Sequence, residues 1–123
     1  MIKPLLIVGI GGALGSILRY VCQRFLPGIN GTGFPWNTLL VNLAGCFLIG
    51  LLTGWFTRNS QAPEYIKLFA VTGFCGGFTT FSAFSIETFQ LMKSDKWLWA
   101  IAYIALSVVI GILLTFSGYK ITQ

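Results

Sequence analysis

Polar and aromatic groups at helical spacing inside an uncharged stretch are the first chemistry this sequence offers. From Leu68 to Ile86 there is no charged residue, yet the middle reads Gly73-Phe74-Cys75-Gly76-Gly77-Phe78-Thr79-Thr80-Phe81-Ser82-Ala83-Phe84-Ser85. A stretch of this length reaches across most of a hydrocarbon core. Backbone that leaves helical geometry at that depth must be buried in protein or line a wet cavity. The Gly pair and the Thr/Ser run therefore predict a helix broken mid-membrane, and a place for an ion. Phe81 and Phe84 are three apart and share a face, as do Ser82 and Ser85. An aromatic ring has a negative face and a positive edge, so edges aimed at a pore favour an anion weakly, without trapping it. Ordinary packing against protein or lipid is the competing reading of both rings.

Other polar residues fall inside apolar runs, where each is costly and needs a reason. Arg19 lies before the end of the first such run, either snorkelling to the interface or sitting at the floor of an aqueous vestibule that draws in anions. Thr38 and Asn42 are one turn apart on one helix face; they either bond a neighbouring helix or donate to an anion. Glu87 is the only carboxylate well inside a run. It is either protonated, bonded to a hydroxyl, or paired with a cation. Tyr103, Ser107, Gly111 and Thr115 recur every four residues, as a hydroxyl-lined track or as glue between helices.

The elements that must position these groups follow from composition. With 55% hydrophobic and 9% charged residues and a mean hydropathy of +0.81, the chain departs from the roughly 25% charge of soluble domains. It reads as an all-α integral membrane protein, one four-span domain over residues 1–123. The spans run from Pro4 to Phe25, Trp36 to Thr57, Pro63 to Met92 and Trp97 to Tyr119. A Gly/Pro-rich segment at 27–35, a polar loop at 58–63 and Lys93-Ser94-Asp95-Lys96 divide them. Trp36, Trp55, Trp97, Trp99 and Tyr119 sit near proposed ends, as an aromatic belt requires. The N-terminal run has no clear cleavage site and reads as a retained first span. Gly11/Gly15, Gly50/Gly54 and Gly73/Gly77 are small pairs at four-residue spacing, which let helices approach closely.

Charge placement does not choose an orientation. Lys3, Arg58, Lys67 and Lys120 fall on one side, Arg24, Lys93 and Lys96 on the other, with Arg19 deeper. So even a balance defeats the positive-inside rule. A chain without preference can insert both ways, and two opposed copies would form an antiparallel dimer that imitates the inverted repeats of larger transporters.

Several other chemistries are excluded. The net charge of +5 is spread singly, unlike a nucleic-acid patch. There is no His, and Cys22, Cys46 and Cys75 have no CxxC spacing, so neither a zinc site nor a His-based nucleophile set is available. Residues 9–15 imitate a dinucleotide fingerprint but lack the βαβ unit and acidic residue it needs, and the sequon at Asn30 carries little weight alone. The chain is not expected to be an enzyme. A small dual-topology multidrug-type proton-coupled antiporter is the alternative transporter, but it wants a first-span carboxylate, where this chain has Arg19. A non-transporting assembly factor would explain the Gly pairs but not the Gly-Gly-Phe-Thr-Thr-Phe-Ser segment.

Together, the glycine packing followed by Arg19, Asn37-Thr38-Leu39-Leu40-Val41-Asn42, and the run Gly76-Gly77-Phe78-Thr79-Thr80-Phe81-Ser82-Ala83-Phe84-Ser85-Ile86-Glu87 resemble the Fluc (CrcB) family of small fluoride channels. The resemblance spans essentially the whole chain and is most specific in the third span. It implies a dual-topology homodimer in the inner membrane of a prokaryote, with two antiparallel pores that passively export cytoplasmic fluoride. It implies a fluoride path past Phe81 and Phe84, with Asn42 the pore asparagine and Arg19 near the vestibule. Thr38, Ser82, Glu87, Tyr103 and Ser107 match the polar track and its surroundings. It also implies a structural sodium ion at the dimer centre, held by backbone carbonyls of Gly76 and Thr79 from both subunits.

Overall fold

The computed structural model describes residues 1–28 and 31–123, so the Asn30 sequon lies outside the described residues. Four helical rods are long and apolar enough to cross a membrane. Helix α1 spans Ile2–Phe25 and α2 spans Trp36–Arg58. The third rod is two pieces: α3 over 64–78 and α4 over Phe81–Lys93. Helix α5 spans Trp97–Thr122. Helix α1 begins ahead of the expected Pro4, because proline is tolerated in a first helical turn where its missing N–H has no partner to lose.

Two stretches wind with one residue more per turn than an α-helix: Leu68–Cys75 within α3 and Leu106–Ile110 within α5. The apolar pattern does not announce either. Such π segments occur often at functional sites, and both of these border the groove described below.

Glycine decides how the rods meet. Helix α1 packs on α3 with backbone against backbone: a Cβ added at Gly11 would lie 2.6 Å from the Phe69 carbonyl oxygen, and one at Gly73 would lie 3.1 Å from Gly11 Cα. Gly15 and Gly77 are closed by the Phe74 and Gly12 carbonyls in the same way. Helix α2 packs on α5 by the same device, with Gly50 and Gly54 facing Thr115 and Tyr119, and Gly118 facing Phe47. Two hydroxyls then cross the seam: Thr115 Oγ1 donates to the Cys46 carbonyl at 2.9 Å, and Thr122 Oγ1 to the Leu51 carbonyl at 2.7 Å. All three small pairs are thus helix contacts. Gly118→Val is expected to lower stability by about 1–3 kcal/mol through overpacking, read as a lower melting midpoint of the detergent-solubilised protein. An unchanged midpoint would refute this account of the seam.

The hydrophobic core gathers at one end of the molecule, around Phe34, Leu39, Leu91, Ala100 and Tyr103. Trp36, Trp55, Trp97 and Trp99 remain partly exposed near the helix ends, where amphipathic rings suit a membrane interface.

Candidate functional site

The third rod breaks at two threonines rather than at the glycines before them. Thr79 (φ −90°, ψ 158°) and Thr80 (φ −146°, ψ 116°) are extended, while Gly76 and Gly77 remain helical. β-Branched side chains favour extended backbone, and each hydroxyl secures one side of the break. Thr79 Oγ1 donates back to the Cys75 carbonyl at 2.9 Å. Thr80 Oγ1 accepts from the Ala83 N–H at 3.2 Å, capping α4. Gly77 serves packing against α1 instead, and Gly76 faces open space.

A break at this depth leaves backbone groups that must find partners, and two side chains supply them. Asn42 on α2 pairs with Thr80 in both directions: its Nδ2 donates to the Thr80 carbonyl at 3.0 Å, and the Thr80 N–H donates to Oδ1 at 2.9 Å. Arg19 on α1 donates from Nε to the Gly77 carbonyl at 3.1 Å, so it acts on the exposed C-terminal end of α3. Ser16 Oγ reaches the same carbonyl at 3.4 Å.

Thr38, Glu87 and Tyr103 form a second cluster. Glu87 accepts from the Thr38 hydroxyl at 2.8 Å on one oxygen and from the Tyr103 hydroxyl at 2.9 Å on the other. The carboxyl group is bonded to a hydroxyl at each oxygen. Thr38 and Tyr103 are 1% and 0% exposed. Phe84 connects this cluster to the break: its ring packs 5.0 Å from Tyr103 and 5.6 Å from Phe81, centroid to centroid.

An open groove of about 470 Å³ runs beside the break, lined among others by Asn42, Gly76, Thr79, Phe81, Phe84 and Ser107. Phe81 is 79% exposed along it. Ser107 Oγ, in the π segment of α5, is buried with no hydrogen-bond partner among the described residues. Arg19, Thr38, Ser82, Glu87 and Tyr103 do not line this groove; Ser82 is exposed, its hydroxyl 3.3 Å from that of Thr80. The expected four-residue stripe on α5 therefore splits. Tyr103 and Ser107 face the Glu87 cluster and the groove, whereas Gly111 packs against Cys46 and Thr115 bonds its carbonyl.

Two further residues belong to this region without having been singled out. Gln23 donates from Nε2 to Thr38 Oγ1 at 3.2 Å. Its signal was the face it shares with Ser16 and Arg19 at helical spacing. Phe34, from the loop before α2, is 1% exposed and packs 5.4 Å from Tyr103 and 4.6 Å from Trp36. Gly33 (φ +79°) turns the chain into this position, a left-handed conformation that favours glycine.

The sequence profile of the family described as CrcB-like protein, Camphor Resistance (CrcB), matches residues 6–119. The chain belongs to the CrcB family. The match takes in most of all four rods and every residue of the break. Curated CrcB-type relatives extend along nearly the whole chain. A protein of Azobacteroides pseudotrichonymphae named fluoride-specific ion channel FluC is 42% identical over 123 residues, which is 100% of this chain and 98% of its own length. One of the same name from Flavobacterium psychrophilum is 43% identical, covering 98% of each chain. Another, from Leptospira interrogans, is 47% identical over 94% of this chain and 91% of its own.

Proposed function

We propose that this chain is a fluoride-selective passive channel exporting cytoplasmic fluoride, assembled as an antiparallel dual-topology homodimer with two pores in the inner membrane of a prokaryote. The observation that carries the reading is the name fluoride-specific ion channel on relatives 42–47% identical along nearly the whole chain. The antiporter alternative has no such support, and α1 has no acidic residue to run proton exchange.

Fluoride is small and strongly hydrated, so a selective pore must replace its water with several close donors and positive ring edges. The groove offers them without a full charge to hold the ion. An amide NH₂ has two donor hydrogens, and Asn42 uses one on Thr80. The Ser107 hydroxyl has no partner among the described residues, and Phe81 and Phe84 present their rings side by side. In this reading Arg19 draws anions toward the vestibule, and Thr38, Ser82, Glu87 and Tyr103 line or brace the track. The 79% exposure of Phe81 suits a face that a second copy covers.

A structural sodium at the dimer centre fits the same break. The Thr80 N–H, which an unbroken helix would aim at the Gly76 carbonyl, goes to Asn42 instead, leaving that carbonyl free for another partner. A Cβ at Gly76 would meet nothing within 4 Å, so another subunit can approach. Carbonyl oxygens suit a hard cation, and Gly76 and Thr79 of two copies would hold it. Bound there, it supplies fixed positive potential and ties the subunits together.

Liposomes carrying the purified protein test the reading. Fast fluoride release with chloride retained is expected, and a C-terminal tag should be accessible on both faces of the bilayer. No fluoride release from a folded dimer would overturn the channel. A tag confined to one face would overturn the dual topology.

A further inference from the structure

We propose that Gln23 is a positioning residue that aims the Thr38 hydroxyl at Glu87, and through it fixes the carboxyl group beside the fluoride path. The inference rests on the channel reading.

Gln23 lies in the last two turns of α1, half-buried. Its Nε2 donates to Thr38 Oγ1 at 3.2 Å, and that hydroxyl donates to Glu87 Oε2 at 2.8 Å. A hydroxyl has one proton and two lone pairs. With a lone pair engaged by Gln23, the Thr38 proton is directed to Glu87. Tyr103 closes the set from the opposite side, donating to Oε1 at 2.9 Å. Every donor in the chain therefore points toward Glu87, from Gln23 through Thr38 on one side and from Tyr103 on the other. Both carboxyl oxygens are held with no cationic side chain bonded to them among the described residues.

Thr38 behaves unlike other threonines of this molecule. Thr57, Thr79 and Thr88 turn the hydroxyl back onto the carbonyl four residues earlier, the usual resort of a helical threonine, and Thr115 and Thr122 share theirs between that carbonyl and one on α2. Thr38, in the first turn of α2, instead bonds side chains of other helices, donating to Glu87 and accepting from Gln23. Without Gln23 the hydroxyl is free to rotate, and Glu87 is held from one side only. The carboxyl group then gains freedom next to Phe84, whose ring rests on Tyr103 at 5.0 Å. A mobile carboxyl group there disturbs the path of an anion passing Phe84.

Gln23→Met preserves length and volume and removes the donor. Fluoride efflux from liposomes is expected to slow about fivefold, the weight of one hydrogen bond. In a Thr38→Val background the same substitution should change nothing further, because contacting residues on one path are non-additive. The infrared carboxyl band that disappears in Glu87→Gln should move in Gln23→Met, which a merely structural role for Gln23 would not cause. If Thr38→Val does not conduct, the band shift alone decides. A conducting wild type with unchanged Gln23→Met efflux and an unmoved band overturns the inference alone, as does equal slowing with and without Thr38. A wild type that releases no fluoride overturns the channel reading and this inference with it.

Discussion

Asn42→Leu is expected to abolish fluoride efflux and to destabilise the protein by about 2–6 kcal/mol. The side chain satisfies both backbone groups of Thr80, donating at 3.0 Å and accepting at 2.9 Å. Leucine leaves both without partners, and an unpaired buried donor or acceptor costs about 1–3 kcal/mol. Where hydrocarbon excludes water the price is not relieved by solvent. Asn42→Asp separates the two roles. Its carboxylate still accepts the Thr80 N–H but cannot donate to the carbonyl, so roughly half of the stability loss should remain. Thermal melting in detergent reads the stability, and liposome efflux reads the transport. A stable, conducting Asn42→Leu protein would show that the break does not depend on this pair.

Phe81→Leu should divide transport from folding. At 79% exposure the ring contributes little to its own subunit's packing, so the fold of the single subunit should change in stability by less than about 0.5 kcal/mol. Leucine supplies comparable bulk but no positive edge. Fluoride efflux is expected to fall at least about tenfold, which corresponds to a barrier raised by about 1.4 kcal/mol. The dimer should survive on gel filtration. Unchanged efflux would remove Phe81 from the ion path, whereas loss of the dimer would show that its contact with the second copy, and not its ring edge, sets the effect.

How much of this was legible in the sequence depends on how local the signal is. The four rods follow from uncharged runs closed by charges and turns, and the small pairs from four-residue spacing. The interruption of the third rod was also legible near Gly76–Thr80, but not which of those residues leaves the helix. Gly77 lets α1 close on α3 and Gly76 stays helical with open space around it, while Thr79 and Thr80 take the extended conformation. Thr38 and Asn42 could be placed on one face, because one turn separates them, but their partners on α4 come from tertiary packing that no spacing reveals. The three states open to Glu87 stayed open for the same reason. Gln23 escaped notice because polar residues are ordinary near the end of a span, and Phe34 because an aromatic in a Gly/Pro-rich loop resembles an interfacial anchor.

The break has an electrical consequence. An unbroken helix over Glu64–Lys93, 30 residues long, would set its two partial charges about 45 Å apart, one at each membrane face. Interrupting it at Thr79 and Thr80 brings a negative end, that of α3, and a positive end, that of α4, to the same depth, two residues apart. Ions of opposite sign can then be sorted to neighbouring positions in the middle of the bilayer by peptide groups alone. Peptide groups do not titrate, so this sorting stays constant across any pH at which the fold persists.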